Sequence, residues 1–287
     1  SYAEVYAKEL AVIADVDARA VPGDAESVLQ EIERWVELSD NWLKLAGGDK
    51  AVVLDTVIEL RRPRLVVEVG FYVGYSSTRM ARRLRNWGGR LVSIEVDPVH
   101  AAIGRMSNVL AGVVDVVDVW VGHSADVLPR LLTRYGPASI DMAFFDQKGT
   151  LYHVDLATFE RLGLLADGCL VVADNVLKPG APHFLWDLHH SLHWDMQIVT
   201  LREYSSEAIE DWISIASFNA SHTAAEDSTT PLCAPRSFEA LAFATDAIRW
   251  RAMTEQLNVS DWVRHVQCVR AAFDEQGIRA SATVEDG

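Results

Sequence analysis

From Leu65 onward, short apolar runs rich in β-branched residues alternate with amphipathic segments, and this alternation restricts the possible folds more than any other feature. Strand-like runs fall near 65–69, 90–96, 115–121, 140–146 and 169–174; helical segments fall near 76–86, 100–111, 125–135, 152–165 and 180–191. The runs are continuously apolar, so both faces of each strand must be covered, which calls for a parallel sheet between helices. Two extended runs, 194–203 and 211–218, follow with no helix between them and read as an antiparallel pair closing the sheet. The expected fold is α/β: a Rossmann-like, doubly wound, mostly parallel seven-stranded sheet with an antiparallel last strand.

Helical patterns precede the sheet at Tyr2 to Ala20, Asp24 to Leu38 and Asp49 to Arg62, with Asp24 and Asp49 placed as N-caps. After it, 219–236 reads as a loop. Segments 237–257 and 261–276 then have apolar helical faces containing Leu241, Ile248, Trp262, Val266 and Val269. Residues 1–218 therefore read as one domain with its N-terminal helices. Residues 219–287 read as a loop and C-terminal helical extension packed on that domain or on a partner subunit.

The 41 acidic residues outnumber the 26 basic ones, giving a formal charge of −15, which argues against binding nucleic acid or an anionic membrane surface. A small-molecule or cationic partner fits better. Cys169, Cys233 and Cys268 are odd in number and scattered, so neither a disulfide framework nor a zinc site is expected, and a cytoplasmic location is. No apolar run approaches the ~18 residues of a membrane span. The oligomeric state is open.

Parallel sheets bind ligands where their strands end, and here the strand ends carry chemistry. After the first strand come Glu68, Gly70, Gly74 and Ser76, a glycine turn leading into a helix whose first amides suit a carboxylate or phosphate. The spacing lacks the third glycine of the dinucleotide fingerprint, which disfavours a nicotinamide oxidoreductase. Glu95 ends the second strand, a position suited to ribose hydroxyls, and Ser124 follows the third near where an adenine would lie. Asp146 closes the fourth strand, and Asp174 with Asn175 closes the fifth. Either aspartate alone could merely cap a helix, but together with the amide they form an oxygen donor set suited to Mg²⁺. Lys148, two residues on, is a candidate base for a substrate hydroxyl, though a bound cation could also acidify that hydroxyl directly. His189, His190 and His193 read as packing or solvated residues rather than a metal cluster.

At these residues the chain resembles the catechol O-methyltransferase family. The blocks VVEVGFYVGYSSTRMAR, SIEVDP, GHSADVLPRL, DMAFFD, ERLGLL and ADNVLKPGAP match in order and at similar separations, as does PGDAESVLQEIERWVE; the likeness runs from about Pro22 to Phe218. The resemblance implies S-adenosylmethionine and Mg²⁺ as cofactors and a catechol-like acceptor. It places Ala46, Glu68, Gly70, Tyr72 and Ser76 on the methionine part of the donor, Glu95 on its ribose and Ser124 on its adenine, with Asp146 also beside the cofactor. It implies Asp146, Asp174 and Asn175 as metal ligands. Trp42, Lys148, Asn175, Pro179 and Glu203 would contact the acceptor, Glu203 through its second hydroxyl.

The departures cluster at the reacting end. The family reads Asp-His-Trp-Lys where this chain has Asp146-Gln147-Lys148-Gly149, so Lys148 falls at the Trp position and Gly149 at the Lys position. Ala125 replaces an amide, and Lys44 stands where an apolar side chain is expected. The altered segment motivates a rival reading, a cofactor-binding partner protein with a weakened active site.

Overall fold

The apolar run at Leu65–Val69 forms β1, in which all five residues are buried, as a strand covered on both faces requires. The structure, a computed structural model, describes residues 2–38, 43–204, 206–221, 233–255 and 257–284. These divide into two units, Ser1–Arg130 and Leu131–Gly287.

The first unit begins with helices α1 (Tyr2–Val5), α2 (Ala7–Arg19), α3 (Ala25–Leu38) and α4 (Asp49–Arg61). Asp24 caps α3 as expected, its Oδ1 accepting the N–H groups of Glu26 and Ser27. The cap of α4 lies one residue earlier than expected: Gly48 holds that position and Asp49 is the first helical residue, where its charge favours the helix N-terminus. After β1 come α5 (Tyr75–Leu84), β2 (Arg90–Glu95), α6 (Pro98–Leu110) and β3 (Val117–Val121). The start of α7 (Ser124–Tyr135) completes the unit. The strands are ordered β3-β2-β1 and all pair in parallel.

The second unit contains β4 (Ile140–Phe145), α8 (Tyr152–Arg161), β5 (Leu165–Ala173) and α9 (Pro182–His190). It continues with β6 (Trp194–Glu203), β7 (Ser206–Phe218), α10 (Arg236–Thr254), α11 (Val259–Glu275) and a two-residue β8 (Ala282–Thr283). β4 and β5 pair in parallel, while β7 is antiparallel to both β5 and β6, the closing pair read from the sequence. β8 adds an unforeseen strand beside β6; two residues carry no readable periodicity. The arrangement is mixed α/β and Rossmann-like. Beneath the ends of β4 and β5, Phe145, Tyr152 and Phe184 form an aromatic floor with ring centroids 5.5–5.9 Å apart. α11 packs on β7 and, with α10, on the turn formed by residues 176–180.

The histidines near α9 pack as the sequence reading expected. His190 stacks on Trp186 with centroids 3.8 Å apart, and His193 stacks on Phe218. Among the described residues no helix is long and apolar enough to cross a membrane.

Candidate active site

In the first unit, local backbone contacts fix the candidate side chains. Glu68 is completely buried and accepts hydrogen bonds from Ser76 Oγ and Ser93 Oγ, each at 2.5 Å. Loss of water pushes its carboxyl up to about 8; the two hydroxyls only partly offset this, and nearby Glu95 adds to the rise. β1 then breaks into a turn with left-handed backbone at Gly70, Tyr72 and Gly74. A Cβ on Gly74 would stand 2.8 Å from the Gly104 carbonyl oxygen, so glycine lets α6 approach the beginning of α5.

Glu95 is anchored against this turn. Its Oε2 accepts the N–H groups of Phe71 (3.2 Å) and Tyr72 (2.8 Å), and its Oε1 accepts that of Asp97 (2.8 Å). The Tyr72 hydroxyl reaches back to α2, donating to Glu9 at 2.5 Å; burial, followed by that bond, raises its pKa. Ser124 opens α7, and the preceding turn is tied down by Gly122 N–H donating to the Glu95 carbonyl at 2.8 Å. Ala46 is buried and Lys44 exposed in the segment before α4. Trp42 lies outside the described residues.

In the second unit, strand register sets the geometry. Phe145 pairs with Ala173, so Asp146 and Asp174 leave adjacent strands at the same level, and Asp174 N–H donates to the Phe145 carbonyl at 3.0 Å. Neighbouring strands lie about 4.8 Å apart, within reach of one small cation for two such carboxylates. Asp174 is 1% exposed, and its backbone carbonyl accepts the Tyr152 hydroxyl from the aromatic floor.

Asn175 has left-handed backbone, and its amide nitrogen donates to Asp211 Oδ2 at 2.9 Å. That bond turns the amide oxygen away from Asp211. Asp211 itself is fully buried, its Oδ1 accepting the N–H groups of Lys178 and Trp212. Two carboxylates and one oriented amide fit a hard cation that keeps several waters. Among the described residues, no group of three or more His, Cys, Asp or Glu is arranged to hold a metal.

The Lys148 ammonium is 2.7 Å from Asp246 of α10, with both side chains more than a third exposed. The same carboxylate accepts Thr150 Oγ1 at 2.9 Å, and Arg249 donates to the Gln147 carbonyl at 3.1 Å. The 147–150 segment is therefore held by the C-terminal helices. Gly149 has a steric reason: a Cβ there would lie 2.6 Å from the Gly180 carbonyl oxygen. A lysine at 149, as in the resembled family, would need these two turns to separate.

Glu203 at the end of β6 is 6% exposed and accepts the Lys178 ammonium at 3.0 Å. The Pro179 carbonyl accepts from Thr245 Oγ1 of α10 (3.2 Å) and lies 2.7 Å from His265 Nε2 of α11. Burial lowers the His265 pKa, favouring the neutral ring, so Nε2 carries the proton toward that carbonyl. Sequence reasoning missed Ser93, Asp211, Lys178, Asp246 and His265. The one local hint was Asp211, a charge at the start of the largely apolar stretch DWISIAS. The others act through partners 25 to 98 positions away.

A family model described as O-methyltransferase matches residues 21–185. The chain is 39% identical over 178 residues to the catechol O-methyltransferase of Mus musculus, covering 62% of this chain and 66% of that protein, just under two thirds of its length. It is 42% identical over 139 residues to the catechol O-methyltransferase of Sus scrofa, covering 48% of this chain and 74% of that protein. The crystal structure of an O-methyltransferase from Streptomyces achromogenes in complex with SAM superposes with a TM-score of 0.55 at 26% identity, covering 68% of this chain and 90% of that one. With strand ends, register and family match in agreement, this chain belongs to the O-methyltransferase family.

Proposed function

We propose that this protein transfers a methyl group from S-adenosylmethionine to a hydroxyl of a catechol-like acceptor, with Mg²⁺ as cofactor. The observation that carries the reading is the level pairing of Asp146 and Asp174 beside an Asn175 amide turned by Asp211. In this reading Glu68, Gly70, Tyr72, Ser76 and Ala46 hold the methionine part of the donor. Glu95, already fixed by three backbone amides, orients the ribose, and Ser124 meets the adenine. Asp146, Asp174 and Asn175 hold the cation, which when bound stabilises the acceptor oxygen in its deprotonated form.

Glu203 and Pro179 orient the acceptor ring, together with Trp42. The acceptor hydroxyl gives up its proton, its oxygen bonds to the methyl carbon, and the carbon–sulfur bond breaks to leave S-adenosylhomocysteine. Lys148 is the candidate proton acceptor, a role that requires it to leave its ion pair with Asp246 and to give up the ammonium proton first, so that the neutral amine takes the hydroxyl proton. Orientation contributes most of the acceleration in such a transfer; well-placed reactants gain up to about 7–11 kcal/mol over free encounter. A cytoplasmic location belongs to the same reading.

The commitment of Lys148 to Asp246 is the observation that favours the rival, a donor-binding partner protein. One assay separates them. Labelled methyl transfer from S-adenosylmethionine to catechol should disappear after chelation and return with Mg²⁺. Donor binding without transfer to any dihydroxybenzene supports the rival, and transfer indifferent to chelation removes the metal from the account.

A further inference from the structure

The C-terminal helices contact the turn that bears Pro179, and one of those contacts bears on the choice of acceptor. Lys178 and Glu203 are 5% and 6% exposed, with Nζ and Oε2 3.0 Å apart. On another side the ammonium sits 4.7 Å from the centroid of the Trp262 ring, contributed by α11. Its place is fixed by the backbone as well: Lys178 N–H donates to Asp211, and the next carbonyl is held by Thr245 and His265. A buried ammonium needs a carboxylate or an aromatic face, and this one has both.

We infer that Lys178, clamped between Glu203 and Trp262, sets the charge preference of the acceptor end, favouring a dihydroxybenzene with a carboxylate substituent over one with an ammonium. The inference rests on the proposed function, in which Glu203 faces the acceptor. A buried carboxylate alone would attract an amine-bearing acceptor and repel an acid-bearing one. Beside it, the ammonium cancels that charge and places a positive group where an anionic substituent, and not a cationic one, is tolerated. Arg249, donating to the Gln147 carbonyl, adds a second cation to the turns held by the same helices. The opposing charges at this end include Asp246, paired with Lys148, Asp211, which accepts from three N–H groups, and Asp146 and Asp174, which the proposed cation would neutralise. The helical extension thereby becomes a determinant of specificity.

The test uses the full chain with Mg²⁺ and S-adenosylmethionine and compares 3,4-dihydroxybenzoate with 2-(3,4-dihydroxyphenyl)ethylamine. It reads the ratio of their kcat/KM values, and their affinities by calorimetry with S-adenosylhomocysteine bound. The ratio should favour the acid in the parent and shift toward the amine by at least about tenfold in Lys178→Met, mostly through KM. Lys178→Arg should keep the parental preference, which a merely structural role for the side chain does not require. Trp262→Leu, which leaves the ion pair in place, should shift the ratio in the same direction by a smaller factor. That variant also provides the reading if Lys178→Met does not fold. A parental preference for the amine, or a ratio unmoved by both neutralising Lys178 and removing the Trp262 ring, overturns the inference while leaving the methyltransferase reading intact. Failure of both acceptors to bind or react overturns both.

Discussion

The strand ends proposed to hold the donor, in the first unit, and those proposed to hold the acceptor, in the second, are built by different means. In the first unit Glu95 is fixed by amides at 71, 72 and 97, and Glu68 by hydroxyls at 76 and 93, all within or next to the matched motifs. In the second unit Lys148, Thr150, Pro179 and Gln147 are held by Asp246, Thr245, Arg249 and His265, from 66 to 102 positions away. A site held by partners at most 25 positions away, in two neighbouring motifs, leaves much of its signature in those motifs. A site held by a distant helix does not.

The sharpest break between the two regions should come from Asp174→Ala. Turnover is expected to fall by about a thousandfold, the scale of losing a metal's charge stabilisation, while donor affinity stays nearly constant. Parallel loss of donor affinity would show that the two sets are not separable.

Glu68 gives the donor side a signature of its own. Its carboxyl lies at about 8 when folded, against an ordinary value of 4.5, so between those values the folded chain holds a proton that the unfolded chain has released. The stability tied to that proton is fully present below pH 4.5 and is lost as pH rises through about 8. Over that window the change is on the order of a few kcal/mol. Urea melts should show Glu68→Gln losing most of this slope; an unchanged slope would show that the group does not titrate there.

Asp211→Asn probes how Asn175, a proposed metal ligand, is oriented. Outer partners of metal ligands are typically worth about 10–100-fold, and the loss should appear in Mg²⁺ affinity with thermal stability largely retained. Gly149→Ala should be milder for chemistry, destabilising the second unit by about 1–3 kcal/mol through overpacking against the Gly180 carbonyl. A neutral Gly149→Ala would mean that the two turns separate readily, and would reopen the question of why the family's lysine is missing.

The same contrast accounts for what the sequence disclosed. The alternation of runs and helices, the closing antiparallel pair, and the strand-end positions of Glu68, Glu95, Asp146 and Asp174 follow from hydrophobic period and strand polarity, which are local properties. The extra β8, the early starts of β5 at Leu165 and β7 at Ser206, and the cap at Gly48 escaped because short or polar strand ends carry little periodicity. Lys148 was legible as a lysine near the reacting end, but its partner Asp246 was not, because nothing local relates a loop to a helix 98 residues later. Trp262 was visible only as one apolar residue on a helical face. Its role at Lys178 is a tertiary fact.

The central claim is that Asp146, Asp174 and Asn175 share one cation in the presence of the sulfonium donor. Anomalous diffraction from crystals grown with Mn²⁺, S-adenosylmethionine and 3,4-dihydroxybenzoate tests it most directly. The account predicts a single peak about 2.0–2.2 Å from an oxygen of each of the three side chains, with the remaining positions filled by acceptor oxygens and water. A peak elsewhere, or none with donor and acceptor both bound, would contradict it.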